Sequence, residues 1–138
     1  MAPHIPKNQG AQILVIEDNP LLEQVLIHSL KNIGVDVLAT ETPEDAIQEI
    51  EQRSPSLVIY DTEKSNPAAE IVEAINNHPK TELLILHSGR LSDQDRKKLQ
   101  PKEVIYKPFD TRFVCRRVID LLSKNKSRKE TNAVNFRK

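Results

Sequence analysis

The chain has 138 residues, enough for one ordinary domain with a real hydrophobic core. Charged residues make up 29% of it and the formal net charge is zero, which excludes a bulk attraction to nucleic acid or to an anionic membrane. Cys115 is the single cysteine, so no intramolecular disulfide is available, and no run approaches the ~20 apolar residues of a membrane span.

The opening stretch lacks the apolar segment of a signal peptide, so a cytoplasmic protein is expected. Residues 1–10 read as an N-terminal extension, 11–123 as one domain and 124–138 as a tail. The first strand, Ile13–Ile16, is a continuous apolar run of the kind covered on both faces, and it leads into Glu17-Asp18. Asn19-Pro20 then supplies an N-cap and a proline at the first helical position. Leu21, Leu22, Val25, Leu26, Leu30 and Ile33 are expected to mark the inward face of this helix, which Gly34 ends.

Val35–Leu38 reads as the second strand. Thr42-Pro43-Glu44-Asp45 repeats the start signal before Ala46, Ile47 and Ile50. The third strand, Leu57–Tyr60, runs into Asp61, and Asn66-Pro67 opens a helix with Ile71, Val72 and Ile75 inward. The fourth, Leu83–Leu86, runs into His87-Ser88-Gly89, and Ser92 starts a short, very polar helix. The fifth, Val104–Tyr106, runs into Lys107-Pro108. Asp110 caps the last helix, whose stripe is expected to be Phe113, Val114, Val118, Leu121 and Leu122.

Cys115, Tyr60 and Tyr106 read as packing residues, and His4, His28, His78 and His87 as structural or exposed, with no ligand spacing among them. In the tail, Lys124, Lys126, Arg128, Lys129, Arg137 and Lys138 stand against Glu130 alone. A solvated, flexible terminus is expected there, with a basic contact arm for an acidic partner or nucleic acid as the alternative.

Five strand–helix repeats predict an α/β fold: a five-stranded parallel sheet flanked by helices on both faces, doubly wound in the flavodoxin-like manner. In such sheets ligands bind beyond the carboxyl ends of the strands. The sequence places Glu17-Asp18, Asp61, Ser88 and Lys107 at those ends. Crowded carboxylates repel; at ~5 Å and an effective dielectric near 20, each pair costs roughly 3 kcal/mol. A hard divalent cation relieves that cost, and oxygen-only ligands select Mg²⁺. With Lys107 added, the edge suits a dianionic phosphoryl group.

Ile13–Asn19, Leu57–Asp61, Leu86-His87-Ser88-Gly89 and Lys107-Pro108-Phe109-Asp110 together resemble the receiver domain of two-component response regulators (CheY-like), over roughly residues 11–123. The resemblance implies that Asp61 is the phosphoacceptor. Glu17, Asp18, Asp61 and the backbone carbonyl of Glu63 would hold Mg²⁺. Ser88 would contact the phosphoryl group, and Lys107 would pair with it, its bond to Pro108 being cis. The implied donor is a sensor histidine kinase or a phosphotransfer protein, and output is by contact with another protein. No DNA-binding domain and no membrane segment is expected in this chain, and dimerisation is left open. The chain would promote its own aspartyl phosphorylation and dephosphorylation rather than turn over a separate substrate.

Three departures from the family pattern bear on function. Thr62–Pro67 lacks the usual Met-Pro and later Gly, so the loop carrying Glu63 follows another path. Val104 stands where the family has an aromatic switch. Leu99-Gln100-Pro101-Lys102-Glu103 replaces a small-residue approach to the fifth strand. Glu63 and Arg90 would flank the phosphoryl group, and their pairing would hinder the hydrolytic water.

A pseudo-receiver adaptor, binding a partner without obligatory phosphorylation, is therefore the alternative. Two further readings fit less well. A flavin-binding fold would need a phosphate-cradling loop where Glu17-Asp18 would repel the ligand. A haloacid-dehalogenase-type phosphatase would need an aspartate where Glu63 stands.

Overall fold

The computed structural model describes residues 12–17, 19–40, 42–62, 69–87 and 92–134; for Thr62 and for 124–134 only the backbone is described. In chain order the elements are β1 (Gln12–Ile16), α1 (Pro20–Asn32), β2 (Asp36–Thr40), α2 (Pro43–Arg53), β3 (Leu57–Thr62), α3 (Ala69–Asn76), β4 (Glu82–His87), α4 (Asp93–Leu99), β5 (Glu103–Tyr106) and α5 (Thr111–Val134). The strands form one parallel sheet in the order β2-β1-β3-β4-β5, as the alternation predicts. The order reverses direction between β1 and β3, and in open parallel sheets such a switch point is where ligands bind at the carboxyl edge.

The apolar runs are continuous because helices cover both faces. Ile13, Val15, Leu57, Ile59, Leu84, Leu86 and Ile105 pack with Leu26 and Leu30 of α1 and with Val114, Cys115, Val118 and Leu121 of α5. Their strand neighbours Leu14, Ile16, Val58, Leu83 and Ile85 pack on the other face against Ala46, Ile50, Ile71, Ile75 and Leu99 from α2, α3 and α4. Strand alternation thus sorts side chains between two cores. Burial of Cys115 in the first of them pushes its thiol pKa up, as desolvation disfavours a thiolate.

The helix start signals form as written. Asn19 Oδ1 accepts from the backbone N–H groups of Leu21 and Leu22 at 3.0 and 3.3 Å. The Thr42 and Ser92 hydroxyls accept from Asp45 and Asp95 at 3.2 and 3.1 Å. Asp110 Oδ1 accepts from the Arg112 N–H at 2.8 Å. Each such cap satisfies a donor the helix cannot. Gly34, at φ 88°, closes α1, where a β-carbon would be strained. The Asn66-Pro67 start of α3 lies outside the described residues, as do His4, Glu63 and Arg90.

Four apolar side chains depart from their expected places. On α1 the inward stripe is Leu22, Leu26, Leu30 and Ile33, whereas Leu21 and Val25 are 75% and 47% exposed. The helix turns about 100° per residue, so these two fall one position off a stripe already filled. Phe113, next to the buried Val114, is likewise exposed, and so is Tyr106, which alternates with the buried Ile105 on the edge strand. The boundary drawn at residue 123 falls inside α5, whose backbone is helical to Val134. Arg117 of α5 grips Glu103 at the start of β5 through two N–H donors at 2.7 and 2.6 Å, and it also reaches Asp120 at 2.9 Å. This fork–fork pair holds Arg117 firmly protonated, its pKa raised above the ordinary value by the Glu103 hydrogen bonds.

Leu26→Ala is expected to lower unfolding stability by about 2–5 kcal/mol, and Leu21→Ala by less than about 0.5 kcal/mol. Urea unfolding of both variants checks the assignment of the inward stripe.

Candidate functional site at the carboxyl edge of the sheet

Strand register assembles the site. Ile16 of β1 pairs with Tyr60 of β3, so Glu17 and Asp61 are the next residues along neighbouring strands. Asp61 pairs with Leu86 and Leu86 with Ile105, which sets β5 to deliver Lys107 two residues further on. The Lys107 N–H donates to the His87 carbonyl at 2.8 Å and extends the ladder by one step. Alternation then decides the face: Glu17 follows Val15, Asp61 follows Ile59 and Lys107 follows Ile105, all on the face of α1 and α5.

Both carboxylates are buried, Glu17 being 4% and Asp61 5% exposed. The Lys107 ammonium lies 2.7 Å from Asp61 Oδ2. Asp61 Oδ1 is also buried and takes no hydrogen bond among the described residues. A buried carboxylate oxygen without a donor is costly, and it is the kind of atom a cation or an incoming electrophile satisfies. The peptide bond from Lys107 to Pro108 is cis, as the resemblance implies. Asp110 just beyond is engaged by Arg112, whose hydrogen bonds hold the carboxyl below its usual pKa.

Of the residues singled out in the sequence, Glu17, Asp61 and Lys107 are thus brought to one edge and one face. Asp18, Ser88 and the carbonyl of Glu63 lie outside the described residues. Among the described residues no three His, Cys, Asp or Glu side chains group as a metal site. The donors present there, the carboxylates of Glu17 and Asp61, are all oxygen, which fits a hard cation and not a thiophilic one.

Val104 is half-buried against the core on the face of α2, α3 and α4. Tyr106 points the opposite way from Ile105, as alternation requires, and its hydroxyl accepts a hydrogen bond from Arg96 of α4 at 3.0 Å. That tie between α4 and β5 has no sequence signature. The clamp of Arg117 on Glu103 has none either, although the spacing of Arg117 and Asp120 on one helix was readable.

No protein-family model and no curated protein matches the chain. Solved structures do. The signal receiver domain of a protein described as a Luxo repressor, from Vibrio parahaemolyticus, aligns over 88% of this chain and 96% of its own, at 22% identity and a TM-score of 0.75. A CheY-like receiver domain from Methanospirillum hungatei JF-1 aligns over 86% and 98%, at 16% identity and a TM-score of 0.75. The receiver domain of an HD domain-containing protein from Pseudomonas fluorescens Pf-5 aligns over 85% and 98%, at 17% identity and a TM-score of 0.74.

The fold is that of a response-regulator receiver. Nearly the whole of each of those receiver domains is matched, so the fold is shared. Among the described residues no helix of this receiver fold is long and apolar enough to cross a membrane.

Lys107→Met removes the ammonium and leaves Asp61 and Glu17 buried together. It is expected to cost about 2–4 kcal/mol of stability, because one partner of a buried pair has been deleted. Adding Asp61→Asn should recover most of that loss, and a double-mutant cycle by urea unfolding reads the coupling.

Proposed function

We propose that this receiver accepts a phosphoryl group on Asp61 from a phosphohistidine, carried by a sensor histidine kinase or a phosphotransfer protein, and acts by contact with an output protein. The observation that carries this reading is the pair of Asp61 with the half-buried Lys107, 2.7 Å apart, with Asp61 buried beside Glu17 at the carboxyl edge. A structural ion pair does not need a second buried carboxylate one strand away. A phosphoryl-transfer site does need crowded oxygens and a fixed cation.

In the proposed step a carboxylate oxygen of Asp61 forms the new bond to phosphorus while the bond from phosphorus to the donor imidazole breaks. The imidazole keeps the electron pair and takes up a proton. Lys107 stays protonated and, already seated on Asp61, neutralises a phosphoryl oxygen as charge spreads over the three of them. Glu17 and Asp61 would hold Mg²⁺, with Asp18 and the Glu63 carbonyl completing the set the sequence suggests. When bound, the ion supplies the second positive charge that two buried carboxylates and a dianion require. Ser88 is assigned the remaining contact to the phosphoryl group. Return to the free carboxylate needs only water, so the chain promotes its own phosphorylation and dephosphorylation and is not an enzyme with a separate substrate.

A second reading has one specific observation in its favour. Val104, half-buried against the core where the family carries its aromatic switch, has no ring to swing between inward and outward poses. A receiver so built can serve as an adaptor whose partner contact does not depend on phosphorylation.

Incubation of the protein with Mg²⁺ and acetyl phosphate separates the two. One phosphoryl mass should be gained on intact-mass spectrometry, and it should be absent in Asp61→Asn and after chelation by EDTA. No gain in mass, together with no Mg²⁺-dependent response to beryllofluoride, would leave the adaptor reading.

A further inference from the structure

A groove of about 560 Å³ runs between α1 and α5, and none of Glu17, Asp61 or Lys107 lines it. Its volume is that of a small-molecule site rather than of a packing defect. The apolar lining is Ile33, Cys115 and Ile119, the first two buried and the third half-buried. Ser29 of α1 adds a hydroxyl, and Arg112 and Arg116 of α5 add guanidinium groups.

The charges there are not equivalent. Arg112 is held by Asp110, with N–O distances of 3.4 and 3.1 Å between their side chains. Asp120, also on the groove, is taken by Arg117 at 2.9 Å. Arg116 is exposed and has no acidic partner among the described residues. The Arg116 guanidinium thus stands outside any ion pair among the described residues, above an apolar floor, with Asp120 one turn further along α5.

We propose that this groove binds a free, soluble amphipathic carboxylate: an apolar body laid against Ile33, Cys115 and Ile119, with its anionic head on Arg116. A guanidinium prefers a carboxylate in a two-pronged hydrogen bond, which gives the head its class. The apolar lining gives the body its class. A neutral ligand would leave Arg116 unused, and a small hydrophilic anion would leave the floor wet.

Decanoate, titrated into the full 138-residue chain and followed by isothermal calorimetry, tests the assignment. Saturable binding at one site is expected, with 1-decanol weaker by about tenfold, the worth of one charged hydrogen bond. Arg116→Glu, an exposed substitution that leaves the core intact, should weaken decanoate by at least that factor. Ser29→Trp, which fills the groove, should abolish binding. Asp61→Asn should bind as the parent does, since it touches only the phosphoacceptor edge. Circular dichroism melting confirms that each variant is folded. Equal affinity for decanol and decanoate, or decanoate binding unchanged by both Arg116→Glu and Ser29→Trp, would overturn the proposal.

Discussion

The pairing of β1 with β3 is the constraint on which the rest of the site depends. Ile16 opposite Tyr60 makes Glu17 and Asp61 neighbours, and a shift of one residue in either strand would turn one carboxylate to the opposite face. That register is held by what lies below it. Ile13, Val15, Leu57 and Ile59 face α1 and α5, while Leu14, Ile16 and Val58 face α2 and α3. Because both faces are apolar, a slip would not expose a greasy face, as it would in a half-solvated sheet. It would mismatch two packed cores at once. The precision of an electrostatic site is therefore underwritten by side chains that carry no charge.

Lys107 enters by a different route. It belongs to the turn after an edge strand, and it is placed by the ladder step to His87 and by the cis bond to Pro108 that redirects the chain at once. Lys107 sits on Asp61 Oδ2, while Asp61 Oδ1 is buried and takes no hydrogen bond among the described residues. Such an arrangement is poor as a stabilising device, since a buried ion pair rarely outperforms apolar packing. It is well suited to receive something positive and something electrophilic together.

The sequence made the frame legible because several kinds of signal agreed. Apolar runs ended at acidic residues, and Asn19-Pro20, Thr42-Pro43 and Ser92 wrote three helix starts that formed as cap hydrogen bonds. The charged edge was legible too, since parallel strands must bring their carboxyl ends together. Less legible was which apolar residues stay outside. Leu21, Val25 and Phe113 have core composition, but each stands one helical position off a stripe already filled, and hydropathy does not record direction. Tyr106 was misplaced for a related reason: β5 is an edge strand, and short α4 covers only part of it. The contacts of Arg117 with Glu103 and of Arg96 with Tyr106 depend on how α4 and α5 lie on β5, which no local pattern encodes.

These two contacts bear on transmission. Under the proposed function, a phosphoryl group on Asp61 would have to be felt at α4, β5 and α5, and these elements are tied together by means other than a swinging ring. Val104 packs half-buried against the core, Arg96 ties α4 to the outer side of β5, and Arg117 ties α5 to its first residue. Rearrangement of α4 would therefore have to break the Arg96–Tyr106 hydrogen bond, which is exposed and weak in water, rather than rotate a buried aromatic. The Arg117–Glu103 fork is half-buried and charge-assisted, and it resists more. On this physical ranking, α4 is the element freer to respond and α5 the fixed reference. Under the proposed function, a signal from Asp61 would then leave the domain through the Arg96–Tyr106 side of β5, since Val104 offers no ring to carry it.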